Sequence, residues 1–259
     1  MTSVSMLQAP AVSPTALTAD QIAAYNRDGY VVLPGLVSPG NASALNDEVM
    51  GIMDAIGLGD SKLRQTSRYL AGSALDALIN SPDLLRIAAT LMGGSSTLYL
   101  PFTAVKSGGG GGRFHFHQDN QYTRFDGPGI NLWFALTEMT PENGCLQVVP
   151  GSHLAGTLDA DVLADGHRSV QREPDEFVSV LMQPGDCVAF TRLTVHGSGP
   201  NVTPSPRVAY AVQFHRDDVN AIWNGSETPV NIKANPRWST GPVDAIVAGT
   251  AKDEDLDGH

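Results

Sequence analysis

Cysteine is nearly absent: Cys145 and Cys187 are the only two in 259 residues. Both lie in apolar, strand-like contexts, so the expectation is two buried thiols and no disulfide framework of the kind small secreted chains rely on. Basic residues are outnumbered 16 to 27, for a formal charge of −11. Nucleic acid and anionic membranes attract basic patches, so neither is an expected partner. Part of the acidic excess is Asp253-Glu254-Asp255-Leu256-Asp257, which reads as a solvated tail over 249–259. No apolar run reaches the roughly 18 residues that span a bilayer, and the first residues lack the basic-then-apolar order of a secretion signal. A cytoplasmic location is the expectation. Internal repeats are missing too, which excludes solenoids and propellers.

What remains is ordinary globular material. Apolar residues make up 42% and charged residues 17%, enough for a packed core in one large domain. Residues 1–17 carry Pro10 and Pro14 among small residues and are expected to be a flexible arm; 18–248 is expected to be the single folded domain. Thr18-Ala-Asp-Gln21 has the form of a capping box, opening a helix that Gly29 ends after Asp28. Tyr30–Leu33 reads as a short strand. Pro39 sits at the first position of a second helix, whose Leu45, Val49, Ile52, Met53 and Ile56 keep helical spacing. Two more helices are expected over 73–80 and 82–92. Between them and the second helix, Arg64 and Arg68 either face a pocket or are solvated.

From Ser95 the texture changes. Short β-like runs are expected over 97–106, 113–120, 130–138, 145–149, 177–182, 186–190 and 207–215, punctuated by Pro-Gly and Asn-Gly turns. The fold class is therefore mainly β with flanking helices, a jelly roll with N-terminal helices packed on it. Residues 155–173 read as a surface insertion, and Trp223 and Trp238 as candidates to fold back over the core.

The chemistry concentrates in Arg113-Phe-His115-Phe-His117-Gln-Asp119, which follows the glycines 108–112. In a regular strand His115, His117 and Asp119 would share one face. His117 and Asp119 then supply two of the three ligands of an open two-histidine, one-carboxylate metal site. His167 falls in the expected insertion and His153 follows a turn. His196 is the better third candidate, since Gly197 and Gly199 leave room beside it. Arg207 begins an apolar strand eleven residues on. If the two segments are antiparallel neighbours, its guanidinium can clamp a carboxylate with two parallel hydrogen bonds, and Ser198 can add a hydroxyl.

The set His117-x-Asp119, His196 and Arg207 resembles the iron(II)/2-oxoglutarate-dependent dioxygenases of the phytanoyl-CoA dioxygenase type. The segment 17–36, LTADQIAAYNRDGYVVLPGL, is similar to that family's opening. The segment 131–153, NLWFALTEMTPENGCLQVVPGSH, is similar to its central block. The resemblance implies a double-stranded β-helix with Fe(II) held by His117, Asp119 and His196. It also implies 2-oxoglutarate gripped at its far carboxylate by Arg207 and Ser198, with Trp133 lining that pocket or packing as core. O2 would be the second cosubstrate, with succinate and CO2 released as a small-molecule substrate is hydroxylated. Tyr99 falls near a family position that can touch the cosubstrate, and Lys106 precedes the glycine loop much as a family lysine does. Asp119 favours oxygenation over halogenation, while desaturation, ring closure and epimerisation use the same ligands. The absence of a basic cluster for coenzyme A points to a small metabolite.

Other readings of the same residues stay open at this stage. A glutamate-type cupin would use His115-x-His117, although Gln121 and Tyr122 stand where its glutamate is wanted. A zinc hydrolase accepts the same three ligands but leaves Arg207 without a task. A jelly-roll binding module that has lost its metal chemistry is the third. His115 either lines the pocket or packs, Gln121, Tyr122 and Arg124 are candidate pocket or lid residues, and the glycine run 107–112 is a candidate mobile loop over the entrance.

Overall fold

The computed structural model describes residues 11–13, 16–55, 63–222 and 228–233. Helix α1 (Ala19–Asp28) begins at the expected capping box. The Thr18 hydroxyl accepts from Gln21 N–H while Gln21 reaches back to Thr18 N–H, a pairing that contributes about 1 kcal/mol. Gly29 ends the helix at φ +80°, where a side chain would be strained and would also strike His153.

Strand β1 (Tyr30–Leu33) and helix α2 (Pro39–Ala55) follow as expected, with Leu45, Val49, Ile52 and Met53 buried. Ile56, Trp223, Trp238 and the 249–259 tail lie outside the described residues. After β2 (Leu63–Thr66), Ser73 and Ser81 cap helices α3 (Ala74–Ile79) and α4 (Pro82–Met92). Of the expected arm, Ala11 and Val12 are buried in the core, and Ser13 N–H donates to Leu36 O.

The β region runs β3 (Ser96–Lys106), β4 (Phe114–His117), β5 (Arg124–Phe125), β6 (Gly129–Ala135), β7 (Leu146–Val148), β8 (Ala160–Val162), β9 (Arg168–Val170), β10 (Val178–Ser179), β11 (Cys187–Thr191), β12 (His196–Ser198), β13 (Arg207–Arg216), β14 (Asn220–Ile222) and β15 (Val230–Asn231). Six strands form one antiparallel sheet in the order β1-β11-β6-β13-β3-β2, and four form a second in the order β10-β7-β12-β4. These are the two walls of a double-stranded β-helix.

Period-two alternation divides the large sheet into an outer and an inner face. Ile130, Leu132 and Phe134 of β6 and Val208, Tyr210 and Val212 of β13 pack outward into one cluster with α1–α4. Trp133, Ala135, Ala209 and Ala211 face inward and meet Leu146 and Val148 of the small sheet. The helices thus close one side of the large sheet and leave the other to the barrel interior. Both cysteines are free and buried, as expected.

Three expectations need correction. The strand expected over 113–120 stops at His117, and Asp119–Gln121 forms a single 3-10 turn. His196 and Arg207 are not on neighbouring strands: β12 lies in the small sheet and β13 in the large one, so the two residues face each other across the interior. The 155–173 insertion contains the β8–β9 hairpin, and its buried Val170 packs with Phe116 and Val195.

Candidate metal centre and active site

His117 and His196 are directly paired residues of β4 and β12, and their imidazole centroids are 4.3 Å apart. Each ring is held by its Nδ1, which donates to a carbonyl two residues back: His117 to His115 O at 2.7 Å and His196 to Thr194 O at 2.9 Å. That hydrogen bond fixes the tautomer and leaves both Nε2 lone pairs facing inward. Asp119 comes in from the 3-10 turn, with its Oδ1 3.7 Å from His196 Nε2. One ligand atom from each of the three residues lies within 4.8 Å of the others.

The electrostatics suit a cation. Burial, reinforced by the neighbouring His196, pushes His117 down to about 3, so its ring stays neutral and able to ligate. Burial works against the Asp119 carboxylate, but His196, Arg192 and His117 outweigh it and hold the group below its usual range. Two imidazoles and one ionised carboxylate, with open space beside them, fit a divalent iron with free coordination positions.

The triad opens on an interior cavity that Arg207, Ser198 and Trp133 also line. Arg207 is 2% exposed, and its Nε has no partner. Among the described residues no carboxylate pairs with it. Burial lowers it to about 10, which leaves the guanidinium charged near neutral pH. Its charge sits 5.4 Å from the Trp133 ring centroid. A buried cation without a counter-ion is costly, so this end of the cavity fits a carboxylate from outside the chain.

Lys106 stands directly opposite Arg207 in the β3–β13 register. Its Nζ donates to Ser198 Oγ at 2.7 Å and to Gly199 O. Because the Ser198 oxygen is already accepting, its own O–H is free to donate to an incoming anion. Trp133 belongs both to the inner core cluster and to the cavity wall.

The alternation expected along β4 fails at one point. His196 pairs with His117 but Ser198 pairs with Phe114, so a β-bulge sets two residues of β4, His115 and Phe116, against Gly197 alone on β12. The bulge brings Phe114, not His115, to the cavity beside His117. His115 is half-buried and its Nδ1 lies 3.7 Å from Glu173 Oε1, which removes the His115-x-His117 site that a glutamate-type cupin would need.

Arg64 is buried and Arg68 half-buried, but Gln65 is the residue of that strand that reaches the cavity. Tyr99 and Tyr122 line it, while Gln121 and Arg124 do not. The glycine run does not reach it either; Gly109 and Gly110 N–H bond to Thr203 O and Asn201 O at 2.7 Å.

The sequence reading missed Asn131, His167, Arg192 and Gln213, all of which line the cavity. Asn131 could have been found, because it lies two residues before Trp133 and shares its face. Arg192 left one signal, a charge inside the apolar run 187–195. His167 left none, since a hairpin with no apolar pattern carries it to the edge of the Phe114 ring, 5.5 Å between centroids.

Residues 25–209 match the family described as Phytanoyl-CoA dioxygenase (PhyH). An ectoine dioxygenase of Sphingopyxis alaskensis is 26% identical over 86% of this chain and 82% of its own. A methylphosphonate hydroxylase of Gimesia maris is 31% identical over 74% of this chain and 78% of its own. Among solved structures, the epimerase SnoN in complex with Fe3+, alpha-ketoglutarate and nogalamycin RO superposes with a TM-score of 0.68 at 23% identity, covering 80% of this chain and 86% of that one. The S. alaskensis enzyme EctD with 2-oxoglutarate and 5-hydroxyectoine gives 0.65 at 22% identity, over 91% of this chain and 94% of that one. The family match spans most of the chain, and the site carries a His-Asp-His triad facing an uncompensated arginine: this protein belongs to the phytanoyl-CoA dioxygenase family and is an iron- and 2-oxoglutarate-dependent oxygenase.

Proposed function

We propose that His117, Asp119 and His196 hold Fe(II), that Arg207, Ser198 and Lys106 hold the far carboxylate of 2-oxoglutarate, and that the enzyme hydroxylates a carbon of a small-molecule metabolite. The observation that carries the reading is the arrangement of unmet needs within one cavity: three inward-facing donor groups at one level and, at another, a buried guanidinium that no carboxylate among the described residues pairs. When bound there, iron with 2-oxoglutarate and O2 supplies the oxidation that yields succinate, CO2 and a hydroxylated product.

The chain's own residues do the rest. The Nδ1 anchors aim the two imidazoles before anything binds, which removes a reorganisation cost from metal capture. Arg207 and Ser198 orient the diacid. Trp133, Leu146, Phe190 and Ala211 wall the cavity with apolar surface, which limits water around the reacting groups. Phe114, Tyr122 and His167 line it as well and are proposed as substrate contacts.

Among the described residues, Asp119 is the only acid in the cavity wall. A zinc hydrolase would need a second group as general base and would leave Arg207 idle, so the site favours oxygenation. The acidic surface charge supports a small-molecule substrate over nucleic acid or membrane. No helix among the described residues is long and apolar enough to cross a membrane, in keeping with a cytoplasmic enzyme acting through one catalytic domain over 18–248. A panel of small metabolites scored by succinate release, with Asp119→Ala as the blank, tests the reading. Substrate-dependent succinate from the parent alone is expected, and equal release from both proteins would refute it.

A further inference from the structure

Asp119 is the one corner of the triad that the sheets do not hold. His117 and His196 are fixed by strand pairing, but Asp119 opens a 3-10 turn beyond the end of β4. Besides the His196 ring 3.7 Å away, its carboxylate receives among the described residues one long hydrogen bond, from Asn131 Nδ2 at 3.4 Å. Something else must hold the turn.

The side chain that does so is Arg192, just past β11 and 4% exposed. Its Nη2 donates to Asp119 O at 2.8 Å, at the start of the turn, and to Thr123 O at 3.4 Å, in the bend that follows it. Its Nη1 donates to Gln213 Oε1 at 2.8 Å, on β13 of the large sheet. The backbone of Arg192 joins in, its carbonyl accepting from Asn120 N–H at 3.2 Å. The guanidinium lies 4.3 Å from the Phe125 ring centroid and 5.3 Å from that of Tyr99. Gly129 makes room for it, since a methyl there would strike the Arg192 chain. Such investment in a buried cation is not required by packing; an apolar side chain of similar volume would be cheaper.

We propose that Arg192 is a positioning residue for the metal carboxylate: it ties the Asp119–Thr123 turn to the large sheet, so that Asp119 meets the ion in one orientation. The inference rests on the triad's being the iron site. It also has a sign that separates it from a merely electrostatic role. A fixed positive charge near a cation site repels the metal, so removing it would tighten binding if charge were all that mattered. Removing a clamp loosens binding.

The test uses the full-length protein without metal and Co(II) as the probe, followed by the visible spectrum of the bound ion and by its dissociation constant. Arg192→Met is expected to weaken Co(II) binding roughly 10–100-fold, in the range found for residues that orient metal ligands, and to change the spectrum. Arg192→Lys is expected to recover only part of this, because one ammonium cannot serve two carbonyls and an amide together. Thermal melts of the metal-free variants show which have folded. If Arg192→Met does not fold, Arg192→Lys and Gln213→Leu, which removes only the anchor on β13, carry the test. Folded variants that bind Co(II) as tightly as the parent or tighter, with its spectrum, overturn the inference. A parent that binds no Co(II) brings down the metal-site reading and this inference with it; normal binding by the parent with no loss in the variants sinks this inference alone.

Discussion

Asp119, Arg207 and Lys106 each set a different observable. Asp119→Ala removes the carboxylate of the proposed metal site and is expected to abolish succinate release and tight metal binding together, read by metal content after gel filtration. Arg207→Met removes the partner of a buried carboxylate and is expected to cost about 2–5 kcal/mol of 2-oxoglutarate affinity, seen as a raised KM with metal binding retained. Lys106 brings a pH dependence. Burial first, then the nearby Arg207 charge, pushes it from 10.5 down to about 6. Between those values the unfolded chain carries a proton that the folded site has shed. Stability from this residue therefore rises with pH from about 6 toward 10.5 and is flat below about 6. A dicarboxylate beside Lys106 restores its charge, so binding near neutral pH takes up a proton and weakens as pH rises. Calorimetry in buffers of different ionisation enthalpy measures that uptake; its persistence in Lys106→Met would contradict the assignment.

At the level of elements, the site depends on how closely β4 and β12 approach. A Cβ on Gly197 would lie 3.0 Å from Phe114 O and 3.2 Å from Phe116 N, closer than backbone contacts allow without movement. Gly197→Ala is therefore expected to spread the His117–His196 pair and weaken metal binding several-fold while the helices remain intact by circular dichroism. Metal affinity unchanged in a folded variant would show that the bulge region gives way elsewhere. These elements also show what was legible in the residues. Helices α1 and α4 carry their own start and stop signals and α2 its start, and β3, β6, β11 and β13 carry apolar runs bounded by turn residues, so all were readable. The bulge in β4, the turn at Asp119 and the sheet assignment of β12 were not, because each is set by a partner distant in sequence. His117, Asp119 and His196 converge despite those errors: residue type and order marked them as candidates, while the geometry came from pairings that no local pattern records.

For the molecule as a whole, helices, large sheet and small sheet form three layers, and the cavity lies between the last two. A ligand that satisfies Arg207 removes an uncompensated charge from the interior and should stabilise the entire fold. At 100 times its dissociation constant, 2-oxoglutarate with metal is expected to add about 2.7 kcal/mol, a rise of roughly 5–10 °C in melting temperature for a domain of this size. Glutarate, which keeps both carboxylates but lacks the 2-oxo group, is expected to give a smaller rise, and citrate none. The most direct test of the account is anaerobic addition of Fe(II) and 2-oxoglutarate to the metal-free protein. A visible charge-transfer band is expected from the parent, lost in His196→Ala and in Asp119→Ala. A parent that stays colourless, or a band that persists when His196 is removed, would contradict the placing of iron at His117, Asp119 and His196.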